Sequence, residues 1–208
     1  TATSGGDSES DFGGTMLKLV PRDGGNNFSG LSLFGYSGPS LETSNINSDL
    51  VARHLDPKRV GALKKFRETG VAIGGPIRES KLWFYTSARE GVNQLYVDGV
   101  QWNKLSQPAS LLYEPDPSRR INTNDYTRDL TARLTWQASP KQKVSAFYQI
   151  QNTCKCGDAL NTDSPPDGSQ GADYPQFIVQ ATWNYPRTNK LLFEGGDLFC
   201  GGGHRLTR

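Results

Sequence analysis

Two runs of alternating apolar and polar residues, joined by a short turn, constrain the fold more than any other feature of this chain. Before the turn every second residue from Leu130 to Ala138 is apolar, and after it the same holds from Val144 to Ile150. The residues between the runs are Ser-Pro-Lys-Gln, at 139–142. Since period-two alternation puts the apolar side chains on one face of a strand, the pattern predicts a β-hairpin.

The strands of this hairpin are unusually long. Alternation persists for about ten residues, whereas a typical strand has about five or six and a tilted strand that crosses a bilayer has about ten. In a membrane barrel the apolar face would contact lipid, and the polar face, with Arg133 and Gln137, would line an aqueous lumen. One sheet of a soluble β-sandwich alternates in the same way. The hairpin alone therefore leaves both architectures open.

Composition excludes some classes of protein. Only 35% of the residues are hydrophobic and the mean hydropathy is −0.60, with no run of about 18 apolar residues, so a helical membrane protein is excluded. Twenty-three glycines and twelve prolines favour an all-β, loop-rich chain. The net charge of +2 is too small to indicate a nucleic-acid partner, and none is expected.

The connections between predicted strands alternate in length. Further strands are predicted at about residues 15–20, 27–36, 69–78, 81–90, 175–185 and 190–199. Short turns at 78–81, 139–142 and 186–189 alternate with long connections at about 37–68, 92–125 and 152–174. Outer-membrane barrels have short periplasmic turns and long external loops, whereas both ends of a sandwich face water. The alternation of short and long connections therefore favours the membrane barrel.

Aromatic residues cluster beside the short turns. They are Trp83, Phe84, Tyr85, Trp136, Trp183 and Tyr185. We expect all of them to lie near the periplasmic edge of the bilayer, where barrels carry a girdle of aromatic side chains.

Two segments carry a family resemblance. Residues 13–30, Gly-Gly-Thr-Met-Leu-Lys-Leu-Val-Pro-Arg-Asp-Gly-Gly-Asn-Asn-Phe-Ser-Gly, resemble the junction between the last plug strand and the first barrel strand of TonB-dependent outer-membrane receptors. Residues 74–77, Gly-Gly-Pro-Ile, followed by Lys-Leu-Trp-Phe-Tyr at 81–85, are similar to a motif of the Oar-like branch, often annotated with a carboxypeptidase regulatory-like domain. We expect Gly24 and Gly25 to take positive φ at the bend, and Pro76 to lie near a strand end.

The resemblance, which covers about residues 10–199, implies a barrel of about 22 strands around a plug. The fold class is then all-β, a partial antiparallel up-and-down transmembrane β-barrel of about seven strands plus the last plug strand. Residues 1–25 would be the end of the plug and the junction, 26–199 the first part of the barrel, and 200–208 an atypical, truncated tail. Seven strands alone would leave two open edges.

The implied function is energised uptake of a bulky nutrient across the bacterial outer membrane, with the siderophore, oligosaccharide and peptide classes all open. The implied partners are outer-membrane lipid and lipopolysaccharide, the nutrient and, for the full-length protein, the TonB complex. A soluble or surface β-sandwich that binds carbohydrate or protein is the alternative, and an adhesin-like porin without TonB coupling is a third possibility. We find no catalytic constellation in the sequence and expect neither an enzyme nor a cofactor.

The long connections supply weak candidates for ligand binding. Residues 49–68 predict a short basic amphipathic helix broken at Pro57. Its cations, which include Arg53, Lys58 and Arg59, could bind lipopolysaccharide phosphates or an acidic ligand, or simply be solvated. In the second long connection Tyr96, Trp102 and Tyr113 could stack on a sugar, although packing of the loop is the favoured role.

Two cysteines form the one weak candidate for a metal site. Cys154 and Cys156 are separated by a single residue, and the two histidines, His54 and His204, lie far away in the sequence. The pair could bind a soft metal or form a small disulfide ring. With no histidine nearby, a metal site is not favoured.

Overall fold

The computed structural model describes residues 22–43, 46–53, 63–105, 112–157, 160, 166 and 169–207, together with the backbone of 2–4 and 15–17. The helices are a 3-10 turn, Pro39–Leu41, and α1, Ser48–Ala52. The strands are β1 Ala2–Ser4, β2 Thr15–Leu17, β3 Ser29–Ser37, β4 Leu63–Arg78, β5 Leu82–Val97, β6 Trp102–Asn103, β7 Pro115–Asp116, β8 Ile121–Asn122, β9 Asp125–Ser139, β10 Gln142–Lys155, β11 Gly171–Thr188, β12 Leu191–Gly202 and β13 Arg205–Thr207.

Seven long strands form one antiparallel sheet. Their order, β3-β4-β5-β9-β10-β11-β12, follows the sequence, so each strand pairs with the next long strand along the chain. The short β8 pairs with the end of β5, and β13 continues the pairing of β12 along β11. Within the described residues this sheet is open, with β3 and β12 at its edges. The all-β antiparallel fold predicted from the sequence is confirmed.

The remaining strands form two small sheets, β1 with β2 and β6 with β7. The predicted last plug strand at 15–20 thus corresponds to β2, which pairs with Ala2–Ser4. No helix in the part of the chain described is long and apolar enough to span a membrane.

The short turns lie close to their predicted positions. β9 and β10 meet at Ser139 and Gln142, and β4 and β5 meet between Arg78 and Leu82. The third turn comes later than predicted, because β11 continues through Pro186 to Thr188 with a shift of register between these two residues. A register shift also occurs between Pro76 and Arg78, near the end of β4. Proline has no N–H to donate to the neighbouring strand, so a position near a strand end suits it.

At their other ends the strands are longer than the alternation predicted. β4 and β5 have 16 residues each, or about 50 Å. The predicted basic helix over 49–68 is wrong for residues 63–68, which belong to β4; helix α1 covers Ser48–Ala52, and residues 54–62, with the predicted break at Pro57, lie outside the described residues. Residues 63–68 gain main-chain hydrogen bonds to β5, which a polar sequence can form without any alternation. Lys58 and Arg59 lie outside the described residues.

The two faces of the sheet differ in chemistry over its central strands, whereas at the edges the register puts Leu31 and Leu33 of β3 on the polar face and Asp197 of β12 on the apolar face. Register puts Leu134, Ala146 and Ala181 in one row, and the apolar face that contains them leaves many large side chains exposed, among them Leu134 at 49% and Trp136 at 52%. The buried apolar residues of the described part are Val100, Ile121, Cys154 and Ala172. The described residues therefore supply no second layer over the apolar face.

The aromatic residues divide between the faces. Phe84, Trp136, Trp183 and Tyr185 lie on the apolar face near the short turns, where rings stack from Trp183 through Tyr185 to Phe193 at centroid distances of 5.9 and 6.1 Å. The expectation that Trp83 and Tyr85 share this position is wrong. They alternate with Phe84 along β5, and they therefore lie on the polar face opposite Thr135 and Arg133.

Candidate functional site

The polar face of the sheet carries two regions of interest, one at each end of the strands. The first is at the short-turn end, where residues 23–26 lie on the polar face before β3 begins. Asp23 is its centre: Thr135 Oγ1 donates to Asp23 Oδ1 at 3.0 Å, Lys143 Nζ lies 3.3 Å from Asp23 Oδ2, and Arg133 forms an ion pair with the same carboxylate. We call Asp23 to Asn26 and these partners the junction site.

The charge of Asp23 is held in place by its surroundings. Partial burial raises the pKa of this carboxyl, but the hydrogen bond from Thr135 and the charges of Arg133 and Lys143 outweigh burial, so that the pKa lies below its usual value. The carboxylate is therefore ionised at neutral pH. It neutralises Arg133, whose side chain is only 13% exposed.

Backbone contact also holds the junction site. A Cβ on Gly24 would lie 2.2 Å from the Phe84 carbonyl oxygen, so only glycine lets the segment lie flat on β5. Asn26 Oδ1 then accepts hydrogen bonds from Ser80 N at 2.9 Å and Trp83 Nε1 at 2.7 Å, which ties the segment to the β4–β5 turn.

The expectation of positive φ at Gly24 and Gly25 is wrong. Positive φ occurs at Gly99, Gly157 and Ser80 among the described residues. The physical requirement at Gly24 is close approach to another backbone.

The second region is a concave surface of about 570 Å³ at the long-connection end of the polar face. Side chains from β4, β5, β9 and β10 line it, and we call it the polar concavity. Three carboxylates, two cations, three amides and two threonines are in its wall. They are Glu68, Asp125 and Asp129, Arg89 and Lys155, Asn93, Gln149 and Gln151, and Thr127 and Thr153.

The charges of the polar concavity are paired within its own wall. Arg89 and Glu68 on neighbouring strands form an ion pair at 2.5 Å, and Lys155 lies 3.6 Å from Asp125. Asp129 accepts hydrogen bonds from Gln149 Nε2 at 2.5 Å and from Thr131 Oγ1 at 3.2 Å. Each ionised group thus has a partner of opposite charge or a hydrogen-bond donor.

Of the three aromatic candidates, Trp102 and Tyr113 lie in the second long connection as predicted, whereas Tyr96 lies on β5, where it pairs with Asn122 of β8. The guanidinium carbon of Arg120 lies 3.9 Å from the ring centre of Tyr96, and that of Arg119 lies 4.5 Å from the ring centre of Trp102. Tyr113 donates from its hydroxyl to the Gln101 carbonyl at 3.2 Å while its side chain stays exposed. These contacts support the packing role, and sugar stacking remains a prediction.

Arg53 caps a helix, and the two cysteines form a disulfide. Arg53 ends α1, with its N–H donating to the Leu50 carbonyl at 3.1 Å. Cys154 and Cys156 form a disulfide with their Cα atoms 5.3 Å apart, and Cys154 is fully buried. Since both thiols are bonded, this pair offers no thiolate to a metal. No group of three or more His, Cys, Asp or Glu side chains in the described ranges is arranged to hold a metal ion.

Sequence reasoning placed Arg133 on the polar face and singled out Gly24 and Gly25, but it assigned neither of the two regions as a site. Gln149 and Gln151 stand on the polar side of the alternating run, so that pattern could have found them. Glu68 and Arg89 become neighbours only through the pairing of β4 with β5, and Asp23 meets Thr135 across 112 positions. No local signal indicates such contacts.

Comparison with known proteins adds no relative. A scan against protein-family models, a search of curated proteins and a search of solved structures each gave no match.

Proposed function

We propose that this chain is part of a TonB-dependent outer-membrane receptor that takes up a nutrient, with its apolar face toward lipid and its polar face toward the lumen. The observation that carries the proposal is the single antiparallel sheet whose central strands, β4, β5 and β9 to β11, have exposed apolar side chains on one face and a hydrogen-bonded polar network on the other. Exposure of the apolar face to water, or of the polar face to lipid, would cost free energy. Both costs are avoided when the sheet stands between lipid and water.

The size of the apolar face supports a bilayer. On β9 it runs from Ala138 to Leu130, about 27 Å along the strand, or roughly 20 Å in height at a barrel tilt of about 40°, close to the apolar band of about 25 Å in outer-membrane barrels. Beyond Leu130 the same face carries the ion pair of Arg128 with Glu90 at 3.0 Å. The apolar stretch is therefore bounded by charges on the long-connection side.

The junction site supports the proposal that the polar face of the sheet faces the lumen. Asp23 to Asn26 lie on the polar face, as a segment leading from a lumenal plug into the barrel wall would. In this orientation the short turns are periplasmic and the polar concavity opens toward the cell exterior, where a ligand would arrive.

The rival functions make different demands. A soluble or surface β-sandwich that binds carbohydrate or protein needs a second sheet over the apolar face, and no specific contact in the described chain favours that. An adhesin-like porin would share the sheet and differ in having no coupling to TonB.

The proposal is tested by expressing the chain with its natural flanking sequence in a bacterial host and fractionating the cells. We expect it in the outer membrane, with a mobility on unboiled gels that shifts on heating. Val179 and Gln180 are neighbours on opposite faces of β11, so they form a matched pair. Val179→Arg should weaken insertion, because arginine facing lipid costs about 2–4 kcal/mol at the midplane and less toward the edges of the bilayer, while Gln180→Arg should have no such effect.

A soluble product without a heat shift would reject the receptor in favour of the sandwich. If the cells still take up a nutrient through this protein after the host's TonB is deleted, the result would favour the porin instead.

A further inference from the structure

The polar concavity has the chemistry of a site for a neutral, hydroxyl-rich ligand. We propose that it binds an oligosaccharide, an inference that depends on the proposed function because it takes the polar face to be accessible from outside the cell.

Charge argues against an anionic ligand. The wall has three carboxylates against two cations, and both cations already have carboxylate partners, Arg89 with Glu68 and Lys155 with Asp125. A phosphate or a ferric catecholate complex would have to displace a carboxylate from Arg89 or Lys155 and would face the excess of negative charge. A neutral ligand leaves both ion pairs intact.

Hydrogen-bonding groups are arranged for hydroxyls. Gln149, Gln151 and Thr153 alternate along β10 and so project from the same face at intervals of about 7 Å. Asn93 and Thr127 face them from β5 and β9. Gln149 Nε2 donates to Asp129 and Gln151 Nε2 donates to Thr153 within the wall, but a primary amide has two N–H groups and an oxygen, so each can still bond a sugar hydroxyl, itself a donor and an acceptor. The spacing lets successive strand positions contact successive parts of one extended chain.

An apolar surface completes the site. Phe66 lines the same concavity and is 38% exposed, so its ring is available to the C–H face of a pyranose. A volume of about 570 Å³ suits a short oligosaccharide segment. A sugar can stack on the aromatic ring and form hydrogen bonds with the amides without breaking the ion pairs, whereas an anion would have to break one of them.

The test measures binding to the full-length receptor, purified in detergent from the outer membrane after its heat shift has been verified. The probes are a panel of neutral gluco-, xylo- and manno-oligosaccharides and, as the opposing class, a ferric catecholate complex and inorganic phosphate. We expect a neutral oligosaccharide to bind. The double variant Asn93→Ala with Gln151→Ala should weaken binding about tenfold, while Gln180→Ala, the same residue type on the same face outside the concavity, should leave it unchanged.

Binding of only the anionic probes, no binding of any neutral oligosaccharide, or binding that the double variant leaves unaltered would each overturn the inference. All three outcomes would leave the receptor assignment standing, since insertion and the heat shift are established first. Failure of the protein to reach the outer membrane would instead reject the proposed function.

Discussion

The two ends of the polar face use the same kinds of residue in different ways. In the junction site Arg133, Thr135 and Lys143 all converge on one carboxylate from a distant segment, Asp23, and little of Arg133 remains exposed. In the polar concavity the charges pair between neighbouring strands and leave space beside amides and hydroxyls. Arg133 and Asp129 are both on β9, about 13 Å apart. A single strand thus holds a chain segment at one end and lines the polar concavity at the other.

The largest expected effect on stability is at Gly24, because the junction site depends on close contact between the backbones of Gly24 and Phe84. Gly24→Ala would put a Cβ 2.2 Å from the Phe84 carbonyl oxygen, and neither backbone can yield easily. We expect a loss of about 3 kcal/mol in the free energy of unfolding, measured by urea titration in lipid vesicles. Gly25→Ala is the matched control, because a Cβ there meets nothing within 4 Å. Equal effects of the two changes would contradict the close approach of this segment to β5.

The next effect concerns the carboxylate that organises the junction site. Asp23→Asn keeps the shape but leaves Arg133 and Lys143 without their anion, and we expect a loss of about 1–2 kcal/mol, discounted for the partial exposure of Asp23. Asp49→Asn, at an exposed position in α1, is the control.

The pH dependence of this loss has a definite sign. Because the native pKa of Asp23 is lowered from 3.8, its stabilisation is complete above pH 3.8 and disappears as the pH falls from there through the native pKa. The stability difference between the unaltered protein and Asp23→Asn should therefore be constant near neutrality and shrink in acid. A constant difference down to pH 2 would argue against an ionised Asp23.

These two positions also mark what a sequence can and cannot predict here. The hairpin of β9 and β10, its turn and its polar and apolar sides follow from alternation, because each strand has one apolar face. The outer parts of β4, β5 and β11 carry polar residues on both sides, so they have no alternation to read. Asp23 stands in a recognisable motif, yet its partners on β9 and β10 depend on how a distant segment crosses the sheet.

The ligand preference of the polar concavity should change when one ion pair is broken. Glu68→Gln frees Arg89 while keeping the size of the side chain, so an anion could then bind through a charge-assisted hydrogen bond. We expect affinity for the ferric catecholate complex to rise about tenfold in equilibrium titrations. Glu194→Gln on β12 is the control, since it lies on the polar face away from Arg89. If the unaltered receptor already bound this anion as tightly, ion pairing would not be what excludes it.

The smallest effect separates an aromatic ring that lines the polar concavity from one that packs a loop. Phe66→Ala should weaken oligosaccharide binding about fivefold, the loss of a stacking contact of about 1 kcal/mol. Tyr96→Ala should leave binding unchanged and cost about 0.5–1 kcal/mol of loop stability, measured by protease susceptibility, because Arg120 already covers its ring. The reverse result would move the sugar contact from Phe66 to Tyr96, near the end of β5 where β8 pairs with it. The polar concavity would then be a passage for the ligand, and the end of β5 would be where the receptor first binds it.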